Sequence, residues 1–417
     1  MTPDASTPWY RAATAVQWKT LLAAQLGWML DAMDVMLYAF ALGTIQQEFD
    51  LSGAGAGALA SVTLITSAGG GIFFGWLADR VGRTRALIYS ILVYSVCTAL
   101  TATSRGVAEL VLWRSLVGIG LGGEWSAGSV LVSETWPAAH RGKAIGLMQS
   151  GWAIGYIAAA LLAAAILPVW GWRVLFAVGV LPALLTLWIR RHVPEPEVWR
   201  AAAPAGARDP RRGGALGEMF RPPLRRPTLA AMIMTTCVLF AYWGLFTWLP
   251  SFLAAPPEQG GAGLGIVKSS GWIVPMQIGA FFGYTLFGFL ADRLGRRPVF
   301  AGFLIAAAVL VPVYGQLARH ELALLALGPL IGFFGHGYFS VFGAMLAELF
   351  PTRIRGTAQG MVYNAGRAVS ALAPFTIGAL ADAWGIGSAL ALTAAFFLAG
   401  AALMAFLPET RGRELEG

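Results

Sequence analysis

Long apolar stretches, each close to 20 residues, alternate with short polar connections along almost the whole chain. A transmembrane helix needs about 20 such residues, because each adds 1.5 Å across a hydrocarbon core about 30 Å thick. The pattern predicts twelve spans, six on each side of an Arg- and Pro-rich segment. The predicted spans are 19–43, 55–78, 86–103, 107–132, 143–166, 171–192, 228–252, 266–291, 298–317, 322–347, 357–381 and 386–407.

This arrangement predicts an all-α membrane protein with two six-helix bundles: an N-terminal bundle over 1–192, a cytoplasmic linker over 193–227 and a C-terminal bundle over 228–417. Composition agrees, because 57% of the 417 residues are hydrophobic and only 12% are charged, against roughly 25% charged in soluble domains. A membrane β-barrel would instead need alternating segments of about ten residues. The first 17 residues are polar and the first apolar run is long enough to remain a span, so we expect no signal peptide.

Basic residues predict the orientation. With a cytoplasmic N-terminus, 23 of the 29 Lys and Arg residues fall on the cytoplasmic side, as the positive-inside rule requires. We therefore expect a multi-pass protein of the cytoplasmic (inner) cell membrane with both termini cytoplasmic. The net charge of +8 then reports topology, and no nucleic-acid partner is needed to explain it. Cys97 and Cys237 both lie in apolar runs, so we expect neither a disulfide nor a metal site.

The two halves of the chain repeat each other at an offset of 213 or 214 residues. The repeated segments are GWLADRVGRTRAL (75–87) with GFLADRLGRRPVF (288–300), ETWPAAHRGKAIGL (134–147) with ELFPTRIRGTAQGM (348–361), and the PE pairs at 194–195 and 408–409. Six spans separate the copies, so both copies face the same side of the membrane. Such halves are parallel repeats about an axis along the membrane normal.

The segment G-x-L-A-D-R-x-G-R at 75–83 resembles the signature loop of the major facilitator superfamily, and WRSLVGIGLGGEW at 113–125 is similar to its fourth-helix motif. More narrowly, DAMD at 31–34, VWGWR at 169–173 and YNAGR at 363–367 resemble the sialic-acid/organic-acid and aromatic-acid:proton symporters. The resemblance implies the major facilitator fold, with a central cavity lined by helices 1 and 4. It also suggests sialic acid, an aromatic acid or a monocarboxylate as substrate.

The signature loops have two interpretations. Their arginines hold the loops on the cytoplasmic side, and this topological role is sufficient to explain them. Alternatively, acids and arginines of the two loops form a charge cluster that latches one conformation and opens in the other. The candidate gating residues are Asp79, Arg80, Gly82, Arg83, Glu134 and Arg141, repeated as Asp292, Arg293, Gly295, Arg296, Glu348 and Arg355.

Ionisable residues inside spans are costly and are commonly functional. Asp31 and Asp34 share a helix face at a spacing of three residues, where their charges repel. Counted at 1.5 Å per residue, Asp31, Asp34 and Arg114 lie at similar depths. We predict that Asp31 and Asp34 carry protons, that Arg114 tunes them and that Glu124 is a second proton site; a structural ion pair with Arg114 is the alternative.

Arg367 lies near mid-membrane in span 11, and its guanidinium fork matches a carboxylate. We predict that it binds an anionic substrate, the alternative being pairing with an acid of the N-terminal half. Asn364 shares its helix face. Further candidate substrate-binding residues, which packing explains equally well, are His336, Tyr338, Gln149, Tyr242 and Trp243.

Together these features predict a secondary transporter that takes up a small carboxylate-bearing anion with protons, requires no cofactor and works as a monomer in the lipid bilayer. A proton-coupled drug or metabolite efflux antiporter and a zwitterionic osmolyte symporter are the alternatives. An enzyme is not expected, because the sequence has no P-loop and no arrangement of Ser, His and Asp for nucleophilic catalysis.

Overall fold

The computed structural model describes residues 13–195, 217–350 and 354–410. The main helices are α1 (Ala15–Glu48), α2 (Gly53–Val81), α3 (Arg83–Thr101), α4 (Val107–Thr135), α5 (Ala138–Val178), α6 (Pro182–His192), α7 (Arg225–Ala254), α8 (Gly265–Leu294), α9 (Arg296–Gln316), α10 (Glu321–His336), α11 (Phe339–Leu349), α12 (Arg355–Ser370), α13 (Ala373–Trp384), α14 (Ile386–Leu390) and α15 (Leu392–Leu403). Short 3₁₀ turns follow at Pro257–Gln259 and Met404–Phe406.

Within the described ranges these helices account for the twelve predicted spans. Eight helical stretches are long and apolar enough to cross a membrane, and one of them, Lys143–His192, has 50 residues and makes two crossings. The helix α4 and the interrupted pairs α10–α11 and α12–α13 make the remaining three. The predicted all-α membrane fold is therefore confirmed. We call the face where α1 begins and α6 ends the linker side, and the opposite face the far side.

Glycines at matching positions show the internal repeat in the backbone. Gly82 ends α2 at φ 113° and ψ 152°, and Gly295 ends α8 at φ 104° and ψ 149°. Glycine tolerates these angles because it lacks a Cβ atom. Gly171 and Gly385 likewise have φ of 73° and 80°, at the start of the sixth and twelfth spans. Both signature loops therefore make the same helix-to-helix reversal.

Close packing of α4 against α2 fixes the positions of its charged side chains. A Cβ atom at Gly118 or Gly122 would collide with the backbone oxygen of Thr63 or Ser67 in α2. Gly120 packs in the same way against the backbone of Tyr94 in α3. Small residues allow membrane helices to approach this closely, so the glycine motif of α4 serves helix packing.

Gly122→Ala is expected to destabilise the protein by about 1–3 kcal/mol, because the added methyl group has no space against α2. Gly69→Ala is the matched control, since a Cβ atom there meets no atom within 4 Å and alanine favours the helix. The measurement is the midpoint of thermal unfolding in detergent. Equal midpoints for the two variants would contradict the packing role.

Candidate functional site

A row of acids lies along the contact between α1 and α4. Asp31 and Asp34 are 1% and 0% exposed, and Glu124 is 0% exposed. The Glu124 carboxylate occupies the space beside Gly27, one turn before Asp31 on the same face of α1. The negative charges of Glu124 and Asp31 repel each other. Three carboxylates are thus gathered inside the N-terminal half; the depth count groups Asp31 and Asp34 with Arg114 and places Glu124 closer to the cytoplasmic side.

The protein provides few hydrogen bonds to these carboxylates. Among the described residues, Asp31 Oδ2 and both Glu124 oxygens have no hydrogen-bond partner, and the Thr98 hydroxyl of α3 lies close to Asp34. Burying a charge without hydrogen bonds costs several kcal/mol or more, so these acids need a bound proton or a nearby positive charge.

Arg114 supplies such a charge from α4. It is 1% exposed, and its charge acts on Asp34. Its Nε donates to Thr63 Oγ1 at 3.2 Å, and its guanidinium carbon lies 4.7 Å from the centre of the Tyr38 ring. Its Nη1 has no partner within the described ranges. Tyr38, one turn beyond Asp34, was not predicted, although its spacing of four residues places it on the same face.

Arg367 supplies the second charge, from the last turn of α12 in the C-terminal half. It is 7% exposed, and its charge acts on Asp31 in the N-terminal half. Its Nε has no hydrogen-bond partner in the described part of the chain. Both predicted interpretations of Arg367 therefore keep support, since it is near an acid of the other half and still has a free donor.

A narrow central cavity separates the two halves at this level. Its volume is about 20 Å³, which is room for roughly one water. Both arginines line it. Its other lining residues are Val35, Met36, Tyr38, Ala39, Ala60, Thr63, Leu64, Ser67, Leu121, Trp243 and Thr247. Asp31 and Asp34 are buried and are not among the lining residues.

A second group of predicted residues forms an aromatic cluster next to the cavity. His336, at the end of α10, is fully buried, and its Nδ1 lies 3.2 Å from the Gly332 oxygen. Its ring centre is 5.2 Å from that of Tyr242. The Tyr338 hydroxyl and His336 Nε2 have no partner within the described residues. A bound molecule or water would satisfy these groups.

The remaining predicted substrate residues differ in position. Trp243 lines the cavity and packs edge-on against Trp152 of α5, with ring centres 6.0 Å apart. Asn364 donates to the Gly360 oxygen of its own helix at 3.0 Å. Gln149 is half-buried, and its Oε1 has no partner in the described ranges. Of the predicted set, Arg367 and Trp243 therefore face the cavity directly.

The signature loops are described in part. The side chains of the acids and of two arginines of the predicted latch lie outside the described residues: Asp79, Glu134, Arg141, Asp292, Glu348 and Arg355. Arg80 stacks 4.2 Å from the centre of the Trp76 ring, and Arg83 donates to the Ala78 oxygen at 2.9 Å. Arg293 is exposed and Arg296 half-buried.

The glutamates of the repeated PE pairs have a role that was not predicted. Glu195 accepts from the backbone N–H groups of Thr84 and Arg85 at 3.1 and 3.2 Å. Glu409 accepts from those of Arg296 and Arg297 at 3.0 and 3.1 Å. A carboxylate at a helix N-terminus satisfies orphan donors and complements the helix dipole. The matching PE pairs were the signal in the sequence.

On the far side, the two halves are in direct contact. The Asp382 carboxylate accepts from the N–H groups of Gly53 and Ala54, at the start of α2, at 2.8 and 3.1 Å. Gly57 of α2 packs against the backbone of Pro374, and Tyr156 donates to the Phe246 oxygen at 3.1 Å. These contacts must break before the cavity opens to the far side.

Asp382→Ala is therefore expected to raise the population open to the far side by about 3- to 30-fold, because a lost N-cap costs about 0.5–2 kcal/mol. The measurement is labelling of an Ala60→Cys probe, which lines the cavity, by an impermeant maleimide in a background without Cys97 and Cys237. Glu258→Ala, an exposed acid of the same side, is the control. Unchanged labelling would contradict the role of Asp382.

The sequence profile of the Major Facilitator Superfamily matches residues 26–274 and 261–416. The chain therefore belongs to this superfamily of membrane transporters, as its motifs predicted. It is 35% identical to the cis,cis-muconate transport protein of Acinetobacter baylyi over 399 residues, 94% of this chain and 95% of that protein. It is 30% identical to the sialic acid transporter NanX of Escherichia coli over 397 residues, 94% of this chain and 95% of NanX.

A solved transporter structure has the same fold as this chain. The inward open conformation of the xylose transporter XylE from E. coli superposes with a TM-score of 0.77 at 20% identity, covering 96% of this chain and 98% of that one. At this identity the similarity concerns the fold alone. The chain is thus a multi-pass membrane transporter, and its relatives include transporters named for organic acids.

Proposed function

We propose that the protein carries a small carboxylate-bearing organic anion across the membrane together with protons, by alternating access. The observation that supports this most is that two buried arginines line the cavity and that each interacts electrostatically with a buried aspartate. Arg367 and Arg114 both line the cavity, and their charges act on Asp31 and Asp34 respectively. An arginine fork matches a carboxylate substrate, and a buried acid beside it is a natural proton carrier.

The coupling follows from competition for the arginines. When Asp31 is ionised, its negative charge attracts Arg367 of the opposite half and competes with the substrate anion. A proton on Asp31 removes that attraction and leaves Arg367 free for the substrate anion. Asp34 and Arg114 form the same combination within the N-terminal half, and Glu124, beside Gly27 one turn before Asp31, is a second acid whose charge interacts with Asp31. Anion and proton binding thus favour each other.

The relatives support an organic acid as cargo. One is named for cis,cis-muconate and another for sialic acid, and both substrates carry carboxylates. A pump for cationic drugs would not place two arginines at its cavity, because like charges repel. The aromatic residues beside the cavity, Trp243, Tyr242 and His336, suit an unsaturated or aromatic carbon skeleton.

The distribution of basic residues favours an orientation with the linker side in the cytoplasm. The cavity is closed toward the far side, which is then the outside, by Asp382 and the contacts around it. We propose that the protein acts in the cytoplasmic membrane, and that each chain transports as a monomer, since both arginines and all three acids of the site belong to one chain.

Uptake by purified protein in liposomes tests the function. Radiolabelled benzoate and muconate are supplied outside, with and without an inside-alkaline pH gradient. Accumulation that requires the gradient supports symport. Equal uptake with and without it would contradict proton coupling, and expulsion of a cationic dye in place of acid uptake would favour the efflux antiporter.

A further inference from the structure

We infer that the transported anion is a dicarboxylate whose two carboxylates bridge Arg114 and Arg367, one from each half of the protein. The inference rests on the proposed function and makes its substrate class specific. It also changes the role of Arg114, which the sequence suggests only as a neighbour that tunes the acids. The main observation behind it is that Arg114 and Arg367 line the same cavity.

Each arginine is buried and keeps an unused donor. Arg114 and Arg367 are 1% and 7% exposed, and Arg114 Nη1 and Arg367 Nε have no hydrogen-bond partner within the described ranges. Unsatisfied donors in such a place are unfavourable unless a ligand completes them. A monocarboxylate satisfies one arginine at a time, whereas a dicarboxylate satisfies both together.

The charges around the site point the same way. The groups that interact electrostatically with Asp34 are Arg114 from α4 and Tyr94 and Cys97 from α3. Facing Asp31 are Arg367 and Tyr363 from α12, Glu124 from α4, Tyr94 from α3 and its neighbour Asp34. Each arginine thus has one aspartate of its own. When Asp31, Asp34 and Glu124 all hold protons, two positive charges remain at the cavity, and a dianion neutralises both.

The position of the arginines explains how a dianion would drive closure. Arg114 comes from α4 of the N-terminal half and Arg367 from α12 of the C-terminal half. The cavity between them holds about 20 Å³, so the halves must separate before substrate enters. A ligand with a charge at each end then draws the two halves together again, whereas a ligand with one charge is held by one half.

Two molecules that differ at one end test this inference. Muconate, hexa-2,4-dienedioate, has a carboxylate at each end of a conjugated six-carbon chain, and sorbate, hexa-2,4-dienoate, has a methyl group at one end. Equilibrium binding to the purified full-length protein is measured for both, at one pH and one ionic strength. We expect muconate to bind at least about 10-fold more tightly, because the second carboxylate makes a charged, bidentate contact.

The charge-balanced variant Arg114→Gln/Asp34→Asn tests the assigned contact without leaving a buried charge alone. We expect the ratio of sorbate to muconate dissociation constants to fall towards one in this variant. Arg319→Gln, an exposed arginine on the far side, is the control and should keep the wild-type ratio. A wild-type ratio in the double variant would overturn the assignment of Arg114.

The remaining outcomes separate the inference from the function on which it rests. If benzoate and sorbate bind as tightly as muconate, the dicarboxylate inference is wrong and the proposed anion symport stands. If none of the three acids binds or is taken up, both fail together. Inhibition of muconate uptake by sorbate and by succinate, a shorter dicarboxylate, measures the preference for dicarboxylates in protein that is transporting.

Discussion

Replacing Arg367 with glutamine is expected to lower transport of the anion by about 30-fold or more. Removing one member of a buried, hydrogen-bonded charge pair costs about 2–5 kcal/mol, and each 1.4 kcal/mol is a factor of ten. Arg367 is 7% exposed and lines the cavity, so water cannot replace its contacts. Uptake into liposomes and equilibrium binding of muconate are the measurements, with Arg319→Gln as the surface control.

Arg367→Lys distinguishes charge from shape. Lysine keeps the positive charge, but it cannot make the two parallel hydrogen bonds of a guanidinium. We expect a loss intermediate between wild type and Arg367→Gln. Full activity of the lysine variant would show that the bidentate contact is unnecessary.

The double variant Arg367→Gln/Asp31→Asn distinguishes substrate binding from simple pairing. If Arg367 served only to neutralise Asp31, removing both charges would restore anion binding, because no buried charge would be left alone. If Arg367 binds the anion, the double variant stays as weak as Arg367→Gln. A double-mutant cycle on the dissociation constants measures this difference, and restored binding would refute the assignment.

The span pattern and the repeat carried the fold prediction, because the bilayer dictates both helix length and apolar composition. The helix ends were less predictable. Span 10 was predicted as one helix over 322–347, whereas the structure breaks it after His336. The helix α1 extends to Glu48, well beyond the predicted end at 43, since an end outside the hydrocarbon core has no hydropathy signal.

Depth along the helices predicted that Asp31, Asp34 and Arg114 lie at one level, and the charges of Asp34 and Arg114 do interact. It could not show which acid each arginine faces, because that depends on how the helices rotate and pack. The electrostatic proximity of Arg367 to Asp31 crosses the two halves, and no spacing within one half predicts it. The same holds for Asp382, whose partner N–H groups are more than 300 positions away in the chain.

Replacing Asp31 with asparagine is expected to abolish proton-driven accumulation while leaving exchange of substrate across the membrane. Asp31 is the acid whose charge is linked to the opposite half, through Arg367. Its attraction to Arg367 therefore changes when the halves move, which ties the proton to the conformational cycle. Asparagine has a similar shape but carries no proton that it can release.

Two assays separate these activities. Uphill uptake is measured with an inside-alkaline gradient, and counterflow is measured with unlabelled substrate inside and no gradient. We expect Asp31→Asn to lose gradient-driven accumulation and to keep counterflow. An imposed gradient that still drives accumulation in this variant would exclude Asp31 as the coupling proton site.

Asp34→Asn is the matched comparison, because it removes a carboxylate of the same helix one turn away. Asp34 faces Arg114, which belongs to its own half, so this pairing is the same before and after the halves rock. We expect Asp34→Asn to keep or strengthen anion binding, because it leaves Arg114 free for the anion, and to keep a residual response to the pH gradient. Identical behaviour of the two variants would mean that the aspartates act as one proton site. A gradient response lost only in Asp31→Asn would assign the coupling to the contact between halves.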